Sequence, residues 1–239
     1  MPLLEGRQLS KRFGGVWALQ QVDFFLEAGE IVGLIGPNGA GKTTLFNSVA
    51  GAFKPTTGRI FFRGVDITAK TPYDICRLGI ARTFQIVRPF PEMTCQENLQ
   101  VAFVNNHHKA AGKDWASSTH GILEFVGLTD QMLTLAKNLT LMEKKKLELA
   151  RALATNPTIL MLDEVLGGLN TQEINQALNL IKGLRDEKGL TIFWIEHVMG
   201  AIMQAADRVI VLDQGTKLME GQPGDVVIDQ RVIKAYLGE

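Results

Sequence analysis

The chain has 239 residues, 46% hydrophobic and 21% charged, with 25 basic side chains balanced by 25 acidic ones. That length can bury one sizeable core, and a formal net charge of zero gives no electrostatic case for a nucleic-acid partner. Met1-Pro2-Leu3-Leu4-Glu5 lacks the basic start and apolar stretch of a signal peptide, and no run reaches the roughly 20 apolar residues that cross a bilayer. Cys76 and Cys95 lie apart without C-x-x-C spacing and read as small apolar fillers, so the expectation is a cytosolic protein.

In chain order, Leu3 to Leu26 favours β structure broken at Gly14-Gly15, and Arg59-Ile60-Phe61-Phe62 continues it after a turn at Thr57-Gly58, which predicts an antiparallel sheet. Between them Glu30 to Ile35 reads as a buried strand, followed by Gly36-Pro37-Asn38-Gly39-Ala40-Gly41-Lys42-Thr43 and helix-like residues. Residues 87–156 lack strong strands and carry helix-like segments at Cys95 to Val104, Gly121 to Val126 and Glu143 to Ala154, as an inserted helical subdomain would. Within it Lys144-Lys145-Lys146, flanked by Glu143 and Glu148, reads as a solvated helix face, and His107-His108 as a surface loop with nothing nearby to complete a metal site. Thr158 to Leu162, Thr191 to Ile195 and Arg208 to Leu212 are short apolar runs, the first two flanking a helix from Thr171 to Lys188 as in a parallel βαβ layer.

The loop at 36 to 43 fits G-x-x-x-x-G-K-[ST], in the strand–loop–helix context that the pattern requires. Its glycines let successive N–H groups face inward, and the helix opening at Lys42 aims its positive end at the same point. A nucleoside-triphosphate site is expected, with Lys42 against the outer phosphates and the Thr43 hydroxyl on Mg²⁺. A second cluster ends Ile159-Leu160-Met161-Leu162-Asp163-Glu164, where an apolar strand puts two carboxylates at the sheet edge that binds ligands in open α/β folds. Beside that loop, Asp163 is expected to hold Mg²⁺ and Glu164 to polarise the water that attacks the γ-phosphate.

In this order the motifs resemble the ATP-binding subunits of ABC transporters, over essentially the whole chain. The resemblance implies an α/β P-loop NTPase forming one cassette, 1–239: residues 1–86 and 157–239 as a RecA-like core with an antiparallel β subdomain, and 87–156 as the helical insert. ATP and Mg²⁺ would be its ligands, with Gly36, Pro37, Asn38, Gly39, Ala40, Gly41, Lys42, Thr43 and Thr44 around the phosphates. Phe13 stands where the family stacks a ring on adenine, a contact of about 1 to 3 kcal/mol by analogy with base stacking; a core Phe is the plainer reading. Gln85, in Arg82-Thr83-Phe84-Gln85, stands where a family glutamine touches Mg²⁺ and the attacking water, and His197 where a histidine meets the γ-phosphate. Glu164, His197, Gln85 and Lys42 would then be catalytic, and Thr43, Gln85 and Asp163 would hold the metal.

Where the family has Leu-Ser-Gly-Gly-Gln, this chain has Leu139-Thr140-Leu141-Met142-Glu143. Thr140 replaces the Ser hydroxyl that covers the nucleotide of the facing subunit, but Leu141 and Met142 lack the conformational freedom of glycine. Val165 takes the place of the usual Pro after the acid pair. Gly79-Ile80-Ala81-Arg82-Thr83-Phe84-Gln85, Arg88-Pro89-Phe90-Pro91-Glu92-Met93-Thr94, Gly167-Gly168-Leu169-Asn170 and Tyr236-Leu237-Gly238 resemble the cassettes of branched-chain amino-acid, urea and amide uptake. That likeness implies two transmembrane permease subunits, an external solute-binding protein, no nucleic acid and a peripheral place on the cytoplasmic face of the membrane. A second, non-identical cassette is suggested by Asn170, where the family often has Asp; a homodimer is the alternative. Arg88-Pro89-Phe90-Pro91 reads equally as a permease contact or as a packed turn. A lipopolysaccharide-export type of cassette and a weakly hydrolysing nucleotide sensor remain as other readings.

Overall fold

The computed structural model describes residues 1–84, 86–104 and 118–237. Strands β1 (Leu4–Phe13) and β2 (Val16–Leu26) form a hairpin that turns at Gly14-Gly15, where Gly14 takes a φ of 55°. β3 (Ile31–Ile35) is buried along its whole length and leads through the glycine-rich loop to α1 (Lys42–Val49). β4 (Thr57–Phe62) and β5 (Val65–Asp66) then complete an antiparallel sheet in the order β2-β1-β4-β5. The turn expected at Thr57-Gly58 is instead the opening of β4. Gly58 has a φ of 89°, a Cβ there would lie 2.4 Å from the Gln8 carbonyl oxygen, and the β1–β4 register shifts between Arg7 and Ser10. The glycine thus makes an irregularity inside the strand, which a local turn rule cannot tell from a turn before it.

The chain continues with α2 (Pro72–Leu78), β6 (Ile80–Arg82), α3 (Cys95–Val104), α4 (Thr119–Val126), α5 (Leu141–Leu153), β7 (Ile159–Asp163), α6 (Thr171–Asp186) and β8 (Thr191–Ile195). It closes with α7 (Met199–Ala205), β9 (Arg208–Asp213), β10 (Thr216–Gly221), α8 (Pro223–Ile228) and α9 (Gln230–Leu237). The second sheet has the order β10-β9-β3-β8-β7-β6, parallel except for the edge strand β10. Parallel strands need both faces covered, and β3, β7 and β8 carry no exposed residue. The expected βαβ step is β7–α6–β8, with Leu160 opposite Ile192.

Helices α3, α4 and α5 stand between β6 and β7 in the chain, and Leu99, Ile122, Leu123, Val126, Leu147 and Ala150 join one apolar cluster. His107-His108 falls outside the described residues. The lysine run of α5 is not a solvated face. All three lysines are half-buried; Lys144 Nζ donates to the Lys137 carbonyl at 3.3 Å and Lys145 Nζ to the Val165 carbonyl at 2.9 Å. Burial pushes the Lys145 ammonium below its ordinary value. The helix buries Met142 and Leu149 as well as Leu147 and Ala150, so the lysine stems lie along packed surface and only their tips need polar partners. Among the described residues no helix is long and apolar enough to cross a membrane.

A second cluster joins the two sheets to α1. Its centre is Phe193 of β8, fully buried, stacked on Phe24 of β2 at 5.6 Å between ring centroids and tilted against Phe46 of α1 at 4.7 Å. One ring of the parallel sheet therefore ties the hairpin to the helix behind the loop. Phe193→Ala is expected to remove about 3 to 5 kcal/mol of stability, read from the urea unfolding midpoint. A loss below about 1 kcal/mol, the scale of a volume-conserving swap, would show that the sheets do not depend on this contact.

Candidate functional site

The loop after β3 is shaped by what presses on its glycines. Gly36 has a φ of 148°, and a Cβ there would lie 2.1 Å from the Leu212 carbonyl oxygen. Gly41, φ 101°, is similarly confined, with the Ala18 carbonyl oxygen 2.5 Å from where a Cβ would stand. Only glycine meets both demands, positive φ and close backbone approach. Pro37 is half-buried, Asn38 and Gly39 are exposed and Ala40 is buried, its N–H donating to the Pro37 carbonyl at 3.2 Å. Gly41 caps α1 without a side chain and the first turn holds no acid, so the N–H groups at that helix end form an anion site. Thr43 is exposed on that first turn, and the neighbouring Thr44 gives its carbonyl to the Ser48 hydroxyl at 2.9 Å.

Lys42 is buried under the loop and its Nζ donates to the Gly36 carbonyl at 2.7 Å and the Pro37 carbonyl at 2.9 Å. Burial lowers its pKa, opposed by the negative charge of Glu164. The Gly36 N–H donates to the Tyr236 hydroxyl of α9 at 2.7 Å. Nothing local in the sequence signals this link, which joins residues 200 positions apart.

The two acids part company at the end of β7. Asp163 accepts from Arg82 Nη2 at 2.6 Å, while Arg82 Nη1 donates to Asn47 Oδ1 at 2.5 Å. Thr43, Asn47, Arg82 and Asp163 border one cavity of about 910 Å³. Glu164 takes a φ of 50°, uncommon for a residue with a side chain, and its Oε1 lies 2.7 Å from His197 Nε2. Behind them Glu196, 2% exposed, accepts from the Leu166 N–H at 2.7 Å and the His197 N–H at 3.0 Å, bridging the loops that carry Glu164 and His197. Burial raises the Glu196 carboxyl pKa, opposed by those N–H groups. Sequence reasoning passed over Glu196, although it directly follows a buried strand, as Glu164 does.

Chemically, this is an anion cradle with a carboxylate–imidazole pair at its edge, able to orient and deprotonate water. Among the described residues no three or more His, Cys, Asp or Glu side chains converge on a metal position. The Thr43 hydroxyl and the Asp163 carboxylate suit Mg²⁺, which takes one or two protein oxygens and completes its shell from phosphates and water.

The other expected site residues lie apart from this centre or outside the described chain. Gln85 lies outside the described residues. Phe13 is 48% exposed rather than core, edge-on to Phe53 at 5.3 Å, on the hairpin whose Ala18 abuts Gly41. Thr140 caps α5: its hydroxyl donates to Glu143 Oε2 at 2.9 Å and accepts from the Glu143 N–H at 3.3 Å. Leu141 is half-exposed beside Gly168, and Met142 is buried. Asn170 caps α6 by accepting from the Glu173 N–H at 3.0 Å. Phe90 is pinned by Asn98, to which its N–H donates at 2.9 Å, yet its ring stays 40% exposed with the Arg151 guanidinium 4.9 Å above it.

A family model described as ABC transporter matches residues 19–167. The chain is 41% identical over 251 residues to the high-affinity branched-chain amino acid transport ATP-binding protein LivG of Escherichia coli (strain K12), covering 100% of this chain and 98% of that protein. It is 39% identical over 251 residues to the high-affinity branched-chain amino acid transport ATP-binding protein BraF of Pseudomonas aeruginosa, with the same coverage, 100% and 98%. Among solved structures, a nucleotide-free ATP-binding cassette from an ABC transporter matches with a TM-score of 0.89 at 31% identity, over 100% of both chains.

Tyr236→Phe keeps the ring and removes the acceptor from the Gly36 N–H. A hydrogen bond of ordinary net worth, about 0.5 to 1.5 kcal/mol, corresponds to nucleotide affinity weakened by about 2- to 13-fold. Calorimetric titration with ATP measures this, and an unchanged Kd would show that the loop holds its shape without the hydroxyl.

Proposed function

The chain belongs to the ABC transporter family of ATP-binding subunits, and we propose from this that it energises import of branched-chain amino acids or related small solutes. Like the family, it binds and hydrolyses ATP in support of transport. The observation that carries the site assignment is the 2.7 Å contact between His197 and Glu164 at the edge of the anion cradle.

In this reading residues 36 to 44 enclose the phosphates, and Lys42 exchanges its two carbonyl bonds for phosphate oxygens. Thr43 and Asp163, with Gln85, hold Mg²⁺, which when bound offsets phosphate charge. His197 orients the Glu164 carboxylate, which accepts the proton of the attacking water. Phe13 stacks on adenine, a role favoured by its exposed ring. Residues 1–86 and 157–239 act as the nucleotide-binding core, and 87–156 as the helical unit that carries Thr140 to a facing cassette.

The solute is assigned by the substrates that the relatives' names state. Two permease subunits, an external binding protein and a peripheral position at the cytoplasmic face of the membrane belong to the same proposal. A non-identical second cassette is favoured by Leu141 and Met142, which stand where close backbone approach to a phosphate calls for glycine. The half-exposed Leu141 side chain at that helix start also keeps the weakly hydrolysing sensor as a second reading.

Glu164→Gln is expected to lower turnover by about 10² to 10⁴ while ATP still binds, measured as phosphate release from the purified chain over a wide concentration range. Retained turnover in that variant would remove Glu164 from the catalytic role. Specific activity that rises with protein concentration and falls in Thr140→Ala marks a working homodimer, whereas flat, negligible turnover of the unaltered chain requires a different cassette to complete the site.

A further inference from the structure

We propose that Arg82 is a placeholder for the metal, neutralising Asp163 until a divalent cation binds there and then transferring to Glu148. The inference rests on the reading of Asp163 as the metal carboxylate. Asp163 is 5% exposed, and a buried carboxylate needs a cation or a set of donors. Arg82 Nη2 supplies that partner at 2.6 Å. A cation that takes Asp163 would stand beside the guanidinium, and two positive groups cannot share one buried carboxylate without strong repulsion. Arg82 must then leave or the metal must bind weakly.

Glu148 offers the guanidinium a second carboxylate. Glu148 is 8% exposed; its Oε1 accepts from the Phe84 N–H, while its Oε2 has no hydrogen-bond partner among the described residues. The Arg82 Nε likewise has none. A buried carboxylate oxygen without a donor is costly in one state, and is accounted for if a donor arrives in another. Arg82, Glu148 and Asp163 border the same cavity of about 910 Å³, which leaves room for a guanidinium to move. The ring of Phe84, 5.4 Å from the guanidinium carbon, offers an aromatic face beside the route. Burial is the main cause that raises the Glu148 carboxyl pKa; the Phe84 N–H and the nearby charges of Arg151 and Lys145 oppose it, and Asp163 adds a smaller push upward. Because Glu148 also holds the Phe84 N–H, the exchange would report metal occupancy to the segment that leads from β6 toward Arg88 and Phe90.

The test is the Mg²⁺ concentration that half-saturates binding of a fluorescent ribose-labelled ATP to the full chain, so that no turnover enters the readout. Arg82→Met, similar in length but uncharged, is expected to lower this concentration by about tenfold, the worth of one charge-assisted hydrogen bond. Glu148→Gln keeps an oxygen for the Phe84 N–H but cannot hold a cation, and is expected to raise it. Binding of the labelled nucleotide in EDTA should be little changed in both. Asp163→Asn serves as the control: if it leaves the Mg²⁺ response intact, the metal assignment of Asp163 fails, whatever Arg82 does. If Asp163→Asn removes the response but Arg82→Met leaves the half-saturation unchanged or raises it, the placeholder role is overturned. A shift of the same sign in Arg82→Met and Glu148→Gln overturns it equally. Should Arg82→Met not fold, Arg82→Lys replaces it, with a smaller decrease expected because a single ammonium cannot reproduce the fork that spans Asn47 and Asp163.

Discussion

Backbone crowding around two glycines sets the shape of the phosphate loop, and the remainder of the site is arranged about it. The Leu212 carbonyl presses on Gly36 from β9, the Ala18 carbonyl presses on Gly41 from β2, and the Tyr236 hydroxyl takes the Gly36 N–H from α9. These contacts arrive from three distant stretches of chain, one in each sheet and one in the last helix. Phe193, lodged between Phe24 and Phe46, supplies the apolar counterpart by fixing the hairpin and α1 to the parallel sheet. The functional loop is thus a product of the whole fold rather than a local motif set on top of it.

Features whose physics is local were legible in the sequence. Glycines at 36, 39 and 41 mark positive φ, an apolar run ending in Asp163 and Glu164 marks a strand edge, and short apolar runs separated by Thr171 to Lys188 mark the βαβ step. Contacts that depend on strand order were not. Arg82 meets Asp163 because β6 pairs beside β7, and Glu196 bridges two loops because β7 pairs beside β8. The Tyr236–Gly36 bond depends on where the last helix lands. The lysine run misled for a related reason: charge pattern describes a helix with one free side, and α5 is packed on more than one. Thr57-Gly58 misled because glycine serves an irregular strand as readily as a turn.

Charge in the site is almost entirely spoken for. Lys42 is bound to carbonyls, Asp163 to Arg82, and Glu164 to His197. In the proposed reading, nucleotide and metal would enter by exchange of partners rather than by meeting bare ions, which would keep buried charge tolerable at each stage. Such an exchange would also make the site responsive, because each displaced group would have to find a new partner.

The capping box at Thr140 and Glu143 has an evolutionary consequence. Since those two residues close the start of α5 between themselves, the capping of the helix makes no demand on the identity of residue 141, whose side chain is half-exposed beside Gly168. Change at that position is therefore not tied to the start of the helix. After gene duplication, one copy of such a subunit is free to drift there while its sister keeps the active interface. Asymmetric pairs can arise in this way by relaxation of constraint, without any gain of new function.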